Sequence, residues 1–163
     1  MRLSGIIYLR TSNQNINYME TGMLHLHSVL RWIILLLLLI CLVQALTKNP
    51  AVRKLSLWLL ISAHLMFIIG VYQIFFGRYG INKGLPAGVE LMKDKFYRFF
   101  WIEHPVLMLL AIILITVARG KAKNLNYKSV TVLLIIALLA ILVAIPWPFR
   151  EIVGEGRTWF PGM

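Results

Sequence analysis

Four long apolar runs, approximately Leu24 to Leu46, Leu55 to Phe76, Tyr97 to Val117 and Val130 to Pro146, are separated by short polar segments. Each approaches the roughly 20 helical residues needed to cross a hydrocarbon core about 30 Å thick. The runs are continuously apolar and lack the period-two alternation of barrel strands, so within lipid their backbone groups can be satisfied only by helices. The pattern predicts an all-α fold, a polytopic membrane protein whose four transmembrane helices form an antiparallel bundle over residues 23–148. A peripheral N-terminal arm over residues 1–22 and a short external tail over residues 149–163 are expected to flank it.

The breaks between runs carry their own signals. Gly77, Gly80, Gly84, Pro86 and Gly88 mark the second connector as irregular, and Pro146, Trp147 and Pro148 end the fourth helix at a level where tryptophan is favoured. The N-terminal arm is polar except at Ile6 to Leu9, a patch too brief for a signal-peptide core, and Met19 and Met23 are alternative starts just before the helical pattern.

Composition agrees with lipid as the solvent, since 60% of the residues are hydrophobic and only 14% are charged. The net charge of +11 lies in clusters between the apolar runs rather than along an aromatic-interleaved face. That distribution excludes nucleic acid as the partner and assigns the charge to anionic lipid headgroups. The first connector carries Lys48, Arg53 and Lys54, and the third carries Arg119, Lys121, Lys123 and Lys128, with no acidic residue in either. By the positive-inside rule these connectors face the cytoplasm, which puts both termini and the longer loop from Gly77 to Phe96 in the periplasm of a bacterial inner membrane. The lone cysteine, Cys41, lies within an apolar run. A disulfide framework and a C-x-x-C-H haem attachment site are therefore both excluded, and any haem would be bound non-covalently.

Ionisable side chains inside spans are costly and so mark candidate function. They are His27, Arg31, His64, Arg98, Glu103 and His104, whereas the fourth span carries none and is assigned to packing. Counting inward from the cytoplasmic end of each apolar run places His64 at about 14 Å, His104 at about 20 Å and His27 at about 29 Å. His64 and His104 are thus the expected axial pair for one haem iron on facing helices. Arg31, one turn from His27 on the same face, is placed to bind a haem propionate as it would any carboxylate, with His27 helping to hold a propionate or a quinone carbonyl. Glu103 points about 100° away from His104 and is expected to pair with Arg31 or Arg98, or to relay a proton. Pro105, lacking an N–H for the carbonyl of Trp101, is expected to kink the third helix beside His104. Met108, one turn from His104, is a possible soft ligand, although a methionine in an apolar span ordinarily packs. Each histidine alone would ordinarily serve as an interhelical hydrogen-bonding group.

Taken together, Leu24-His25-Leu26-His27-Ser28-Val29-Leu30-Arg31-Trp32, Ser62-Ala63-His64, Glu103-His104-Pro105 and Ala144-Ile145-Pro146-Trp147-Pro148 resemble a family of small four-helix membrane proteins of Bacteroidetes-type bacteria usually labelled cytochrome b. The resemblance covers nearly all of the chain after Met19 and implies a haem b protein. With the histidines, it leads to the expectation of a membrane electron carrier exchanging electrons with quinol or a partner redox protein, rather than a stand-alone enzyme. Two other readings remain open. In one, His27, His64, His104 and Met108 line a path for copper or protons; in the other, the chain is a structural subunit of a larger membrane complex.

Overall fold

The structure, a computed structural model, describes residues 2–154 and residue 159, with side chains described from residue 18 onward. Helix α1 spans Arg2–Leu46, α2 Val52–Phe76, α3 Lys95–Arg98, α4 His104–Lys123 and α5 Tyr127–Ala144. A π-helical turn at Phe99–Glu103 joins α3 to α4, so these three form one continuous third span. Four helical spans are long and apolar enough to cross a membrane: Tyr18–Leu46, Val52–Lys83, Lys95–Lys123 and Tyr127–Ala144. The expected fold class is therefore found. The described part of the N-terminal arm continues α1 as helix, and most of the expected C-terminal tail lies outside the described residues.

The element boundaries differ from the apolar runs in one consequential way. The third span was expected to end at Val117, but α4 continues through the basic stretch to Lys123. Lys and Arg are good helix formers, and their cations favour the negative end of the helix dipole in its last turn. At the other end of this span, the side chain of Asp94 accepts from the N–H of Tyr97 and caps α3.

Short connectors join α1 to α2 and α4 to α5 at one end of the bundle; the longer loop over residues 77–94 lies at the other. Helix α1 packs chiefly on α2 and α5, and α4 packs on the same two, so α1 and α4 face each other across the bundle axis. Each helix contributes one stripe to the interior at alternating four- and three-residue steps, the repeat of a left-handed bundle seam. On α2 the stripe is Val52, Ser56, Leu59 and Ala63; on α5 it is Val130, Leu134, Ala137, Ile141 and Ala144. On α1 it includes Ile34, Leu38, Cys41 and Ala45, and on α4 Ala111, Ile115, Ala118 and Ala122. Only 11% of the most apolar window of the third span is buried inside the protein, so most of that apolar surface faces away from the bundle.

Candidate functional site

The interior stripes carry the polar residues to the long-loop end. Continued at the same spacing, the α1 stripe reaches Arg31 and then His27, the α2 stripe reaches Met66 and Gly70, and the α4 stripe reaches Met108 and His104. His27 precedes Ala45, Gly70 follows Val52 and His104 precedes Ala122 by the same number of residues, a rise of about 27 Å along each helix. The three therefore meet in one layer. The His27 and His104 rings lie with centroids 6.3 Å apart and planes inclined at 51°. A Cβ at Gly70 would sit 3.9 Å from Cε1 of His27. That is an ordinary van der Waals distance, so His27 packs against α2 at this position.

His64 is elsewhere. It follows Ala63 by one residue and so points about 100° away from the interior stripe. Its side chain is exposed, and its Nδ1 lies 2.9 Å from the carbonyl of Leu60 on its own helix. His27, rather than His64, is the ring beside His104. The expected depth match began at Val117, six residues short of where α4 ends. Measured from Lys123, His104 lies about 29 Å in, level with His27, and His64 lies about 18 Å from the start of α2.

His104 is fixed by the end of α5. Its Nδ1 lies 2.8 Å from the carbonyl oxygen of Ala144, and because a carbonyl only accepts, Nδ1 is the donor. That carbonyl is available because the N–H four residues on would belong to Pro148, which has none. Likewise Leu142, whose partner would be Pro146, has its carbonyl satisfied by Trp147 Nε1 at 2.9 Å, while Arg150 Nη1 donates to Val143 at 2.7 Å and to Ile145 at 3.2 Å. The proline-tryptophan-proline ending thus leaves carbonyls that His104, Trp147 and Arg150 engage. On the opposing ring, Nδ1 of His27 is buried with no hydrogen-bond partner among the described residues.

The π turn arises from Pro105. In a regular helix the Pro105 ring would clash with the carbonyl of Trp101; here the chain widens so that the N–H of His104 reaches the carbonyl of Phe99, five residues back. Phe99 is buried and packs on His104, with ring centroids 6.0 Å apart. Glu103 accepts from Nε of Arg98 at 2.8 Å, so of its two expected partners it takes Arg98, whose Nη1 also donates to Met92. Pro105→Ala is expected to let this segment wind as regular helix, rotating the residues before it by about 100° and separating Arg98 from Glu103. Slower amide hydrogen exchange across residues 99–104 would report the change. Unaltered exchange would show that the widening has another cause.

Arg31, on the same stripe as His27, donates through Nη2 to the backbone carbonyl of Trp159 at 2.8 Å and stacks over the Trp32 ring at 5.1 Å. Met108 is partly buried against the core. No group of three or more His, Cys, Asp or Glu side chains comes together among the described residues. The site is therefore a two-imidazole pair across the bundle axis, with an arginine one turn away. Comparisons with protein-family models, with curated proteins and with solved structures find no match to this chain.

Proposed function

We propose that the chain is a membrane b-type cytochrome that carries electrons between quinol and a partner redox protein, with His27 and His104 as the axial ligands of one non-covalently bound haem. The observation that carries this reading is the facing pair of imidazoles at 6.3 Å. With a metal–nitrogen bond of about 2 Å on each side, two rings on one metal have centroids about 6 Å apart. The donation from Nδ1 of His104 to Ala144 is the kind of hydrogen bond that orients a metal-ligating histidine. Two protein donors, His27 and His104, would suffice to hold a haem iron, whose porphyrin would supply the other nitrogens. A tetrahedral zinc or copper centre draws three or four ligands from the protein, which disfavours the copper-handling alternative. His64, off the interior stripe, does not extend the pair into a path.

Bound there, haem supplies a one-electron iron couple. The protein's own contribution is to hold two rings level across the bundle, exclude water with Phe99 and the surrounding apolar side chains, and set a fixed cation, Arg31, within one turn of His27. The absorption spectrum of protein purified from cells able to make haem tests the proposal directly. A Soret band with the low-spin signature of two imidazoles is expected. Protein that carries no porphyrin, even when supplied with haemin during refolding or membrane insertion, would rule it out and favour a structural subunit.

The proposed setting is the bacterial inner membrane with the short connectors in the cytoplasm, which the positive-inside rule supports through the acid-free cations Lys48, Arg53, Lys54, Arg119, Lys121, Lys123 and Lys128. The histidine layer then lies near the periplasmic surface, and the electron partner docks from that side. Phosphatase reporters inserted in the 77–94 loop should be active, and those at residues 124–126 inactive. The opposite pattern would invert the orientation and move the partner to the cytoplasm.

A further inference from the structure

At the long-loop end, where α3 begins and the chain leaves α5, a cavity of about 160 Å³ opens between these two segments. Its lining carries both signs of charge: Lys95, Arg98 and Arg150 against Glu103 and Glu151. Arg98 and Glu103 are bonded to each other at 2.8 Å and largely cancel. The remaining three groups have charge to offer. The side chains of Lys95 and Glu151 make no hydrogen bond or ion pair among the described residues. Arg150 is anchored by Nη1 on the carbonyls of Val143 and Ile145 and by the face of Phe99, 4.9 Å from its central carbon. Its other guanidinium nitrogens are free among the described residues. The anchoring fixes the cation before any ligand arrives, which lowers the ordering cost of binding.

Two free cations beside one free carboxylate complement a compact zwitterion whose anion is recognised by arginine and lysine. The cavity sits where the third and fourth spans leave the apolar zone, beside Pro146, Trp147 and Pro148, which is headgroup level. We infer that this cavity binds the phosphoethanolamine headgroup of a membrane phospholipid, its phosphate on Lys95 and Arg150 and its ammonium on Glu151. A primary ammonium donates hydrogen bonds to the carboxylate, whereas the quaternary ammonium of a choline headgroup has no N–H to donate. A glycerol headgroup has no cation at all. The site is therefore selective among lipids of equal chain length, and it is independent of whether haem is bound.

Native mass spectrometry of the full chain in detergent, titrated with dioleoyl phosphatidylethanolamine, phosphatidylcholine or phosphatidylglycerol, tests the assignment. The ethanolamine lipid should be retained about tenfold more tightly than the choline lipid, the difference expected of one charge-assisted hydrogen-bonded pair. Glu151→Gln should abolish that preference, and Lys95→Gln should weaken binding of all three lipids. Both side chains are exposed and make no side-chain hydrogen bond or ion pair among the described residues, so both variants should unfold near the wild-type temperature. Arg150→Gln, which also loses the helix-end contacts, serves only as a further check. Equal retention of the ethanolamine and choline lipids, a preference that survives Glu151→Gln, or tighter retention of the glycerol lipid would each overturn the inference. Displacement of the ethanolamine lipid by millimolar inorganic phosphate would do the same, by showing a site for free anions.

Discussion

Alanine at either His27 or His104 is expected to abolish the low-spin haem spectrum, while alanine at His64 leaves it intact. The contrast is large because, on the proposed binding, the first two variants each remove one of the two residues that would hold the iron. His64→Ala removes only an exposed ring whose Nδ1 bonds to its own helix at Leu60. Depth alone suggests the reverse, with His27 the most dispensable of the three. The interior stripes decide otherwise, since His27 and His104 share a layer and a line of sight across the bundle whereas His64 faces outward. Arg31→Ala should keep bis-imidazole ligation and lower the midpoint potential, because removing a nearby cation destabilises the more electron-rich reduced state. Loss of the spectrum in His64→Ala with retention in His27→Ala would sink the assignment of the pair and return it to His64 with His104. Retention in all three single variants would place the haem, if any, away from these residues.

The fold was legible in the sequence because lipid leaves few choices. Continuous apolar runs of span length must be helices, and short connectors make neighbouring helices antiparallel. The candidate residues stand out for the same reason, since His27, Arg31, Glu103 and His104 are ionisable groups in otherwise apolar segments. Which two histidines lie side by side differs from the depth count, although the signal was present. Depth depends on where a helix ends, and hydropathy falls at Ala118 and Arg119 although the helix does not stop until Lys123. Facing depends only on spacing within the helix and is insensitive to that error. The four-three steps from Ala45 back to His27 and from Ala122 back to His104 exclude His64, which lies one residue off the step at Ala63. Gly70 sits on the same step in α2, which places it in the layer of His27 and His104.

Other parts of the site depend on contacts between elements distant in sequence. Nothing local to His104 indicates that its Nδ1 engages the carbonyl of Ala144, forty residues away. The hint lay at the other partner, because Pro146 and Pro148 leave carbonyls in α5 that cannot all be satisfied by the backbone. Phe99 presents a comparable case. In an aromatic-rich stretch it has no distinguishing neighbour, and only the π turn before Pro105 brings its ring against His104. The cavity near Arg150 arises from the docking of a C-terminal segment that no periodicity describes.

Ala137→Leu is expected to destabilise the bundle by about 1–3 kcal/mol, the usual cost of forcing methylenes into a filled interior. Ala137 is fully buried on α5, in a stripe with Ala140 and Ala144, and α4 presents Ala111, Ala118 and Ala122 on its own interior face. Small side chains let two membrane helices approach closely, so their attraction comes from close packing and not from excluding water. In lipid the added isobutyl group gains nothing from burial, because the separated helices would surround it with equally apolar chains. The whole effect is therefore steric and falls on the helix pair that positions Ala144 against His104. Leu139→Ala is the internal control: Leu139 is 57% exposed on the outward face of α5, and its truncation should change stability by less than about 0.5 kcal/mol. Thermal or dodecyl-sulfate unfolding in mixed micelles measures both. If Ala137→Leu unfolds with wild-type stability while Leu139→Ala is impaired, the face of α5 turned towards α4 is the opposite one, and the Ala144 carbonyl no longer lies within reach of His104.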